Sequence, residues 1–180
     1  LPILLKTGWV AVAAALPLLL QGENARLQSV CSALDTFMEF YGHWDEWLAL
    51  NRQAEEKAVE AEDLDSAGAR AYQSGWINYL RGQSSEVLAC AERCTAHWEN
   101  AGQAGAREKA TAIQLRGLGY KLGKNYPAAI AAFQEALDLD LTIAAESEAV
   151  ATGLNYLADI EKLQGDFSAA ERDFRKALRV

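Results

Sequence analysis

The sequence is poor in proline, and this shortage restricts the fold. Its 3 prolines are Pro2, Pro17 and Pro127, so none interrupts the chain between Gln21 and Tyr126. Alanine-rich segments without proline are typical of helices and not of sheets. Because 51% of the residues are hydrophobic, the chain has enough apolar material for a core. The composition therefore predicts a folded, helical protein.

Cysteine and histidine are scarce as well. The cysteines Cys31, Cys90 and Cys94 are too few for the disulfide framework of a small secreted protein, so we expect a reducing compartment and a cytoplasmic location. Only 2 histidines occur, and the chain has neither a G-x-S-x-G motif nor a G-x-x-x-x-G-K-[ST] phosphate loop. The sequence thus predicts a protein that is not an enzyme and uses no cofactor.

Basic residues are in the minority, and this excludes two classes of partner. The net charge is -8, and the segment from Glu39 to Asp65 holds nine acidic residues against two basic ones. We interpret this segment as a solvated face. No basic stripe remains to bind nucleic acid or an anionic membrane surface.

The chain also lacks a hydrophobic run long enough to cross a membrane. The apolar run from Trp9 to Leu20 has twelve residues, whereas a span needs about 20. We expect a buried helix there, with a signal-like segment as the alternative. Because the chain begins with Leu1, we also expect it to be a piece of a longer protein.

The turn signals between periodic segments predict nine helices and no strand. The expected helices are Trp9–Leu20, Ala25–Tyr41, Asp45–Ala61, Ser66–Arg81, Ser84–Asn100, Ala104–Leu122, Pro127–Leu141, Ala144–Leu163 and Ser168–Arg179.

Small and bulky residues recur in register along the chain. Six positions recur after 41 residues, with Gly117, Tyr120, Tyr126, Ala129, Phe133 and Ala136 matched by Ala158, Glu161, Phe167, Ala170, Phe174 and Ala177. An earlier copy includes Gly75 and Cys94, and a fainter one surrounds Trp44. The small residues allow helices to approach closely, and the aromatic after each turn is expected to cover the end of a pair. The pattern predicts stacked antiparallel helix pairs.

The last copy, residues 151–178, resembles the tetratricopeptide repeat (TPR). Its motif positions are Leu154, Leu157, Ala158, Gly165, Phe167, Ala170, Phe174 and Ala177. The copy at 110–137 departs from the family, because Arg116 replaces a large apolar residue and Gly123 comes one position early, so we expect an irregular turn. The resemblance implies an all-α solenoid, a right-handed superhelix of antiparallel pairs with about nine helices.

The resemblance also implies a domain organisation. Residues 21–180 form a TPR-like repeat domain with repeats near 25–61, 66–100, 104–141 and 144–180, and residues 1–20 form a capping helix or the remnant of a preceding domain. The period exceeds the standard repeat of about 34 residues. In this it is similar to the helical arm of NB-ARC-like signal-transducing ATPases, which implies a scaffold or sensor arm in a larger signalling protein.

In this family the first helices of successive pairs line a concave groove. The matching positions for partner contacts are Tyr72, Trp76, Tyr79, Gln114, Leu118, Lys121, Asn155, Asp159 and Lys162. The aromatic stripe at 72, 76 and 79 faces either the groove or the core. The family's clamp for a terminal carboxylate is absent, since Ser32, Thr36, Tyr72 and Trp76 occupy its first positions, which disfavours a chaperone tail as ligand.

Two hypotheses for the function follow. The first is a protein–protein interaction scaffold that binds a protein or peptide segment in the groove, in which case Trp76→Ala weakens binding and leaves the fold intact. The alternative is a ligand- or peptide-sensing receptor module that switches an attached effector. In either case the open ends of the stack could join two copies of the chain.

One cluster has the spacing of a metal site. Cys90, Cys94 and His97 lie on one helical face at i, i+4 and i+7, where they could hold Zn²⁺ with a fourth ligand. Cys94 also occupies the repeat position of Ala136 and Ala177, which favours a small, packed side chain. The sequence therefore predicts no metal, with these three residues as the weak candidate.

Overall fold

The computed structural model describes residues 14, 15, 17–102 and 105–180, and the regular secondary structure of this part of the chain is α-helical. The helices are α1 Asn24–Tyr41, α2 Trp44–Glu60, α3 Leu64–Leu80, α4 Ser84–Asn100, α5 Ala106–Leu122, α6 Tyr126–Ile143, α7 Glu148–Gln164 and α8 Phe167–Ala177. Residues 14, 15 and 17–21 are helical too, and no strand occurs among the described residues. The predicted all-α class is confirmed.

The helices pack as adjacent pairs, α1 with α2, α3 with α4, α5 with α6 and α7 with α8, and each pair packs on the next. First helices of neighbouring pairs also touch, α1 with α3 and α3 with α5. Buried apolar clusters follow the stack from α1–α2 to α5–α7, so the core is a continuous band between pairs. This is the predicted arrangement of helix pairs.

Polar side chains set the starts of four helices. Asp63, Asn125, Ser147 and Asp166 each accept a hydrogen bond from the backbone N–H three residues later, which satisfies one of the free donors at a helix start. The cap at Ser147 corrects the predicted start at Ala144. Because Ala144 has an extended backbone with φ −160°, α7 begins only at Glu148.

The turns inside the pairs share one backbone conformation. Each has a left-handed residue at nearly the same repeat position, namely Gly42, Gly82, Lys124 and Gly165 with φ of 74°, 72°, 59° and 85°. Glycine adopts this conformation without steric cost, and the early Gly123 instead has φ −73°. The displaced glycine therefore leaves Lys124 to adopt the left-handed conformation, so this turn departs from the others in its residue type and not, as expected from the sequence, in its backbone.

Small residues sit where neighbouring helices cross. A Cβ added at Gly75 would lie 2.5 Å from a Leu115 methyl, and one added at Gly117 would lie 2.6 Å from the ring of Phe133. The repeated aromatics behave differently from each other, because Tyr126 packs on the core whereas Phe167 is 70% exposed. The expected cover over the end of the pair is thus present at Tyr126 and absent at Phe167.

A buried polar network ties α1, α2 and α3 together. The Arg70 guanidinium donates to Ser32 Oγ at 3.0 Å and to Asn51 Oδ1 at 3.2 Å, and it lies 3.5 Å from Asp35 Oδ2. The indole of Trp47 donates to Asp35 Oδ1 at 2.8 Å. Burial raises the pKa of Asp35, although the Arg70 charge and these hydrogen bonds act in the opposite direction. Pairing of this kind is what makes a buried charge tolerable.

The predicted helix Trp9–Leu20 lies partly outside the described residues, which include none of 1–13 and not 16. In the described part, Leu19 and Leu20 pack against the cluster between α1 and α2, and Lys57 Nζ donates to the carbonyl oxygen of Leu20. No helix in this part of the chain combines the length and apolar character needed to span a membrane.

The helix crossing at Ala136 is predicted to reject bulk. Ala136 is fully buried, and leucine there should lower the free energy of unfolding by roughly 1–3 kcal/mol through overpacking. Urea denaturation measures the change. Ala131→Leu, on the exposed side of the same helix, is the matched control. Equal stability of the two variants would contradict the repeat register.

Lys124→Gly is predicted to stabilise the protein. A non-glycine residue in the left-handed region costs about 1 kcal/mol, and glycine removes that cost. The expected result is a rise in the free energy of unfolding of up to about 1 kcal/mol, measured by urea denaturation. A loss of stability, the usual effect of glycine, would show that residue 124 does not adopt this conformation.

Candidate functional site

The candidate site is the surface of α3, α5 and α7, here called the inner face. These are the first helices of their pairs, and they carry all nine positions that the TPR resemblance assigns to a groove. Contacts between α1 and α3 and between α3 and α5 bring these helices together on one side of the stack. Within the described chain, the second helices pack mainly against first helices. The surface of the second helices is here called the outer face.

Aromatic side chains form one end of the inner face. The rings of Trp76 and Tyr79 stack with centroids 5.3 Å apart and planes at 29°. Both are half-buried and pack against the cluster that contains Leu118, and Trp76 also packs against the cluster of Met38 and Trp47. The α3 stripe therefore serves the core and keeps part of its surface open.

A third and a fourth aromatic extend this end. Tyr72 is half-buried against the clusters of α4 and α5, and Tyr156 stacks on Phe133 with centroids 4.9 Å apart. Burial raises the pKa of Tyr156 to about 12, helped by Tyr72, Tyr79 and Asp159 nearby. Burial likewise raises the pKa of Tyr72. These phenols stay neutral at physiological pH and can donate and accept hydrogen bonds.

The predicted positions on α5 and α7 have different surroundings. Lys121 Nζ lies 3.1 Å from Asp159 Oδ2, an ion pair that joins the two helices across the inner face. Asn155 and Lys162 are exposed. Leu118 is only 2% exposed and lies in the core, so it is removed from the side chains that a partner could touch.

A cleft of about 450 Å³ opens between the N-terminal halves of α5 and α7. Gln114 lines it, as do Arg107, Thr111, Asp140 and Thr152. Asp140 is 3% exposed and accepts a hydrogen bond from Gln114 Nε2 at 2.9 Å. Burial raises the pKa of Asp140, while the Gln114 hydrogen bond and the Arg107 charge lower it in part. The cleft offers hydroxyl and amide groups and one buried acceptor.

Sequence reasoning missed Asp140, Arg107 and Tyr156. Asp140 lies in a second helix, where the repeat predicts no groove contact. Arg107 and Thr111 fall on the same helical stripe as Gln114, seven and three residues before it, so the 3.6-residue period alone could have indicated them.

Comparison with solved structures finds similar folds. No protein-family model matches the chain, and no curated protein does. The fold is similar to the crystal structure of BtubC (BKLC) from P. vanneervenii, with a TM-score of 0.71 and 15% identity over 88% of this chain. The chain therefore has the fold of a helical repeat built of stacked helix pairs. It spans 64% of the length of BtubC, and the likeness is one of fold alone.

A second similar structure is MamA 41-end from Desulfovibrio magneticus RS-1. Its TM-score is 0.47 and its identity is 18%, with 88% of this chain and 95% of that one covered.

In this helical repeat the candidate zinc ligands make other contacts. His97 Nε2 lies 3.0 Å from Glu55 Oε1, and Cys90 Sγ accepts from Arg93 at 3.4 Å. Cys94 is fully buried, and burial raises the pKa of both thiols, which disfavours the thiolate that binds zinc. The described residues contain no group of three metal-ligating side chains, so the weak zinc candidate is not supported.

Trp76→Ala is predicted to destabilise the fold, since Trp76 packs on two core clusters. We expect the free energy of unfolding to fall by about 2–3 kcal/mol, less than for a fully buried tryptophan. Urea denaturation measures the loss, and Trp76→Phe should retain most of the stability. An unchanged unfolding midpoint for Trp76→Ala would instead favour the groove-facing role, one of the two alternatives that the sequence leaves open.

Proposed function

We propose that this chain is a non-enzymatic interaction module that binds a protein segment along the inner face. The main support is the stacked pair of Trp76 and Tyr79, which is open on one side and held rigidly by the core on the other. Rigid aromatic area of this kind contributes strongly to interfaces because little side-chain entropy is lost on binding.

Polar groups along the same face suit a peptide backbone. Asn155 is exposed and offers both an amide donor and an amide acceptor, and Lys162 adds an exposed cation one helical turn beyond Asp159. The Lys121–Asp159 pair holds α5 and α7 in a fixed relation between these groups. An extended segment lying across α3, α5 and α7 would therefore meet an aromatic end first and a polar end second.

The neighbourhood of the buried thiols favours binding over catalysis. His97 faces a carboxylate, and Cys90 and Cys94 are buried with raised pKa values, so these residues do not form an activated nucleophile and base.

We propose that the module acts in the cytoplasm as the scaffold or sensor arm of a larger signalling protein, of the kind found in NB-ARC-like ATPases. The long repeat period supports the role of a helical arm in such a protein. The free cysteines fit a reducing compartment such as the cytoplasm.

The Asp140 cleft favours a second function, a receptor for a small ligand. Its volume of about 450 Å³ lies in the range of small-molecule sites, and it has a few converging polar groups. In that role the ligand would bridge α5 and α7 and alter how an attached effector is held. Saturable thermal stabilisation by a metabolite, lost in Asp140→Asn, would distinguish this receptor from the scaffold.

Selection from a random peptide library displayed on phage tests the interaction function. A selected peptide should bind the chain in isothermal titration calorimetry, and Asn155→Ala with Lys162→Ala should weaken it roughly tenfold, since both side chains are exposed on the inner face. Gln134→Ala with Arg175→Ala is the matched control, because both residues are exposed on outer-face helices. Equal weakening by the two double variants, or a library that yields no binder, would contradict inner-face binding.

A further inference from the structure

A separate cleft of about 560 Å³ lies on the outer face. It is bounded by the C-terminal half of α4 and the C-terminal half of α6, and α5 forms its floor. The apolar lining comes from Trp98, Ile113 and Leu139. The Trp98 indole donates to the Asp65 carbonyl oxygen at 3.2 Å, which holds the ring in place, and the side chain is 8% exposed.

This cleft lies where the chain departs from the repeat pattern. The departure is at the repeat position that Leu157 occupies in α7, where the leucine is 5% exposed and packs in the core. In α5 the same position holds Arg116, whose guanidinium turns outward and lies 2.7 Å from Glu135 Oε2. A second cleft of about 260 Å³ lies on the other side of Arg116, and Thr95 and Glu99 line both. The two form one trough across α4, α5 and α6.

The rim of the trough is acidic. Its acidic side chains outnumber the basic ones five to two, with Glu92, Glu99, Glu108, Glu135 and Asp138 against Lys109 and Arg116. The Arg116 charge is already paired with Glu135, so Lys109 alone opposes the remaining four acids. An apolar floor inside a negative rim is complementary to a segment with apolar side chains on one side and lysine or arginine around them.

We propose that this outer trough docks a basic amphipathic segment of a partner protein. Apolar side chains of the segment would cover Trp98, Ile113 and Leu139, and its cations would pair with Glu99 and Asp138, both exposed. The negative rim repels nucleic acid and anionic lipid, which leaves a protein segment as the occupant. The trough is separate from the inner face, so an experiment can contradict binding at one surface without contradicting binding at the other.

A model peptide of leucine and lysine in amphipathic order tests the trough. Calorimetry should show binding that weakens as salt is added, and amide signals of α4, α5 and α6 around the trough should shift in two-dimensional NMR spectra. Glu99→Lys with Asp138→Lys should weaken binding roughly tenfold or more, because each change replaces an attraction with a repulsion.

The control variant carries the same change in charge elsewhere. Glu146→Lys with Glu171→Lys also replaces two exposed acids, far from the trough in sequence and outside its lining. The control variant should lose less than about threefold in affinity for the peptide, as expected for distant, screened charges. Equal losses in both variants would overturn the proposal, since the peptide would then follow net charge only. Shifts confined to the inner face, or equal binding of a leucine–glutamate peptide, would also overturn it.

Discussion

The structure depends on the close approach of helices at small residues. Gly75 and Gly117 lie against Leu115 and Phe133 so tightly that even a methyl group would collide with them. Helices packed at this distance must keep their register, because a shift by one residue would place a Cβ inside a neighbouring side chain. Ala136 has the corresponding role in a second helix, where it is fully buried. The positions of glycine and alanine in the sequence therefore determine how the helices stack.

Such packing creates two unlike surfaces. Contacts between α1 and α3 and between α3 and α5, together with the Lys121–Asp159 ion pair between α5 and α7, hold the first helices along the inner face. The second helices leave clefts between α2 and α4 and between α4 and α6. In the former cleft, the buried Glu55 is already engaged by Arg93 and His97. In the latter, Glu135 is paired with Arg116, whereas Glu99 and Asp138 are exposed to solvent. Local charge pairing thus distinguishes the two clefts, and the second is the one that we propose as the docking trough.

Sequence reasoning located the helices well and the site only in part. Positional matching indicated Tyr72, Trp76 and Tyr79, and the structure shows that each packs on the core and keeps some exposed surface. The same matching also included Leu118, which is buried. The helical period shows which side of a helix a residue lies on, but it does not show whether neighbouring helices cover that residue. Asp140 could not be found this way, since it reaches its cleft from a different helix.

The sequence by itself determined the helical class, the pairing and the turns, because proline scarcity, alanine content and recurring small residues act over short distances along the chain. It also showed that Gly123 comes one position early in its repeat. Only the tertiary structure decided how far Trp76 is buried, that Asp140 meets Gln114, and that Arg116 turns away from the core toward Glu135. Those outcomes depend on side chains that come from different helices and meet only when the stack is formed.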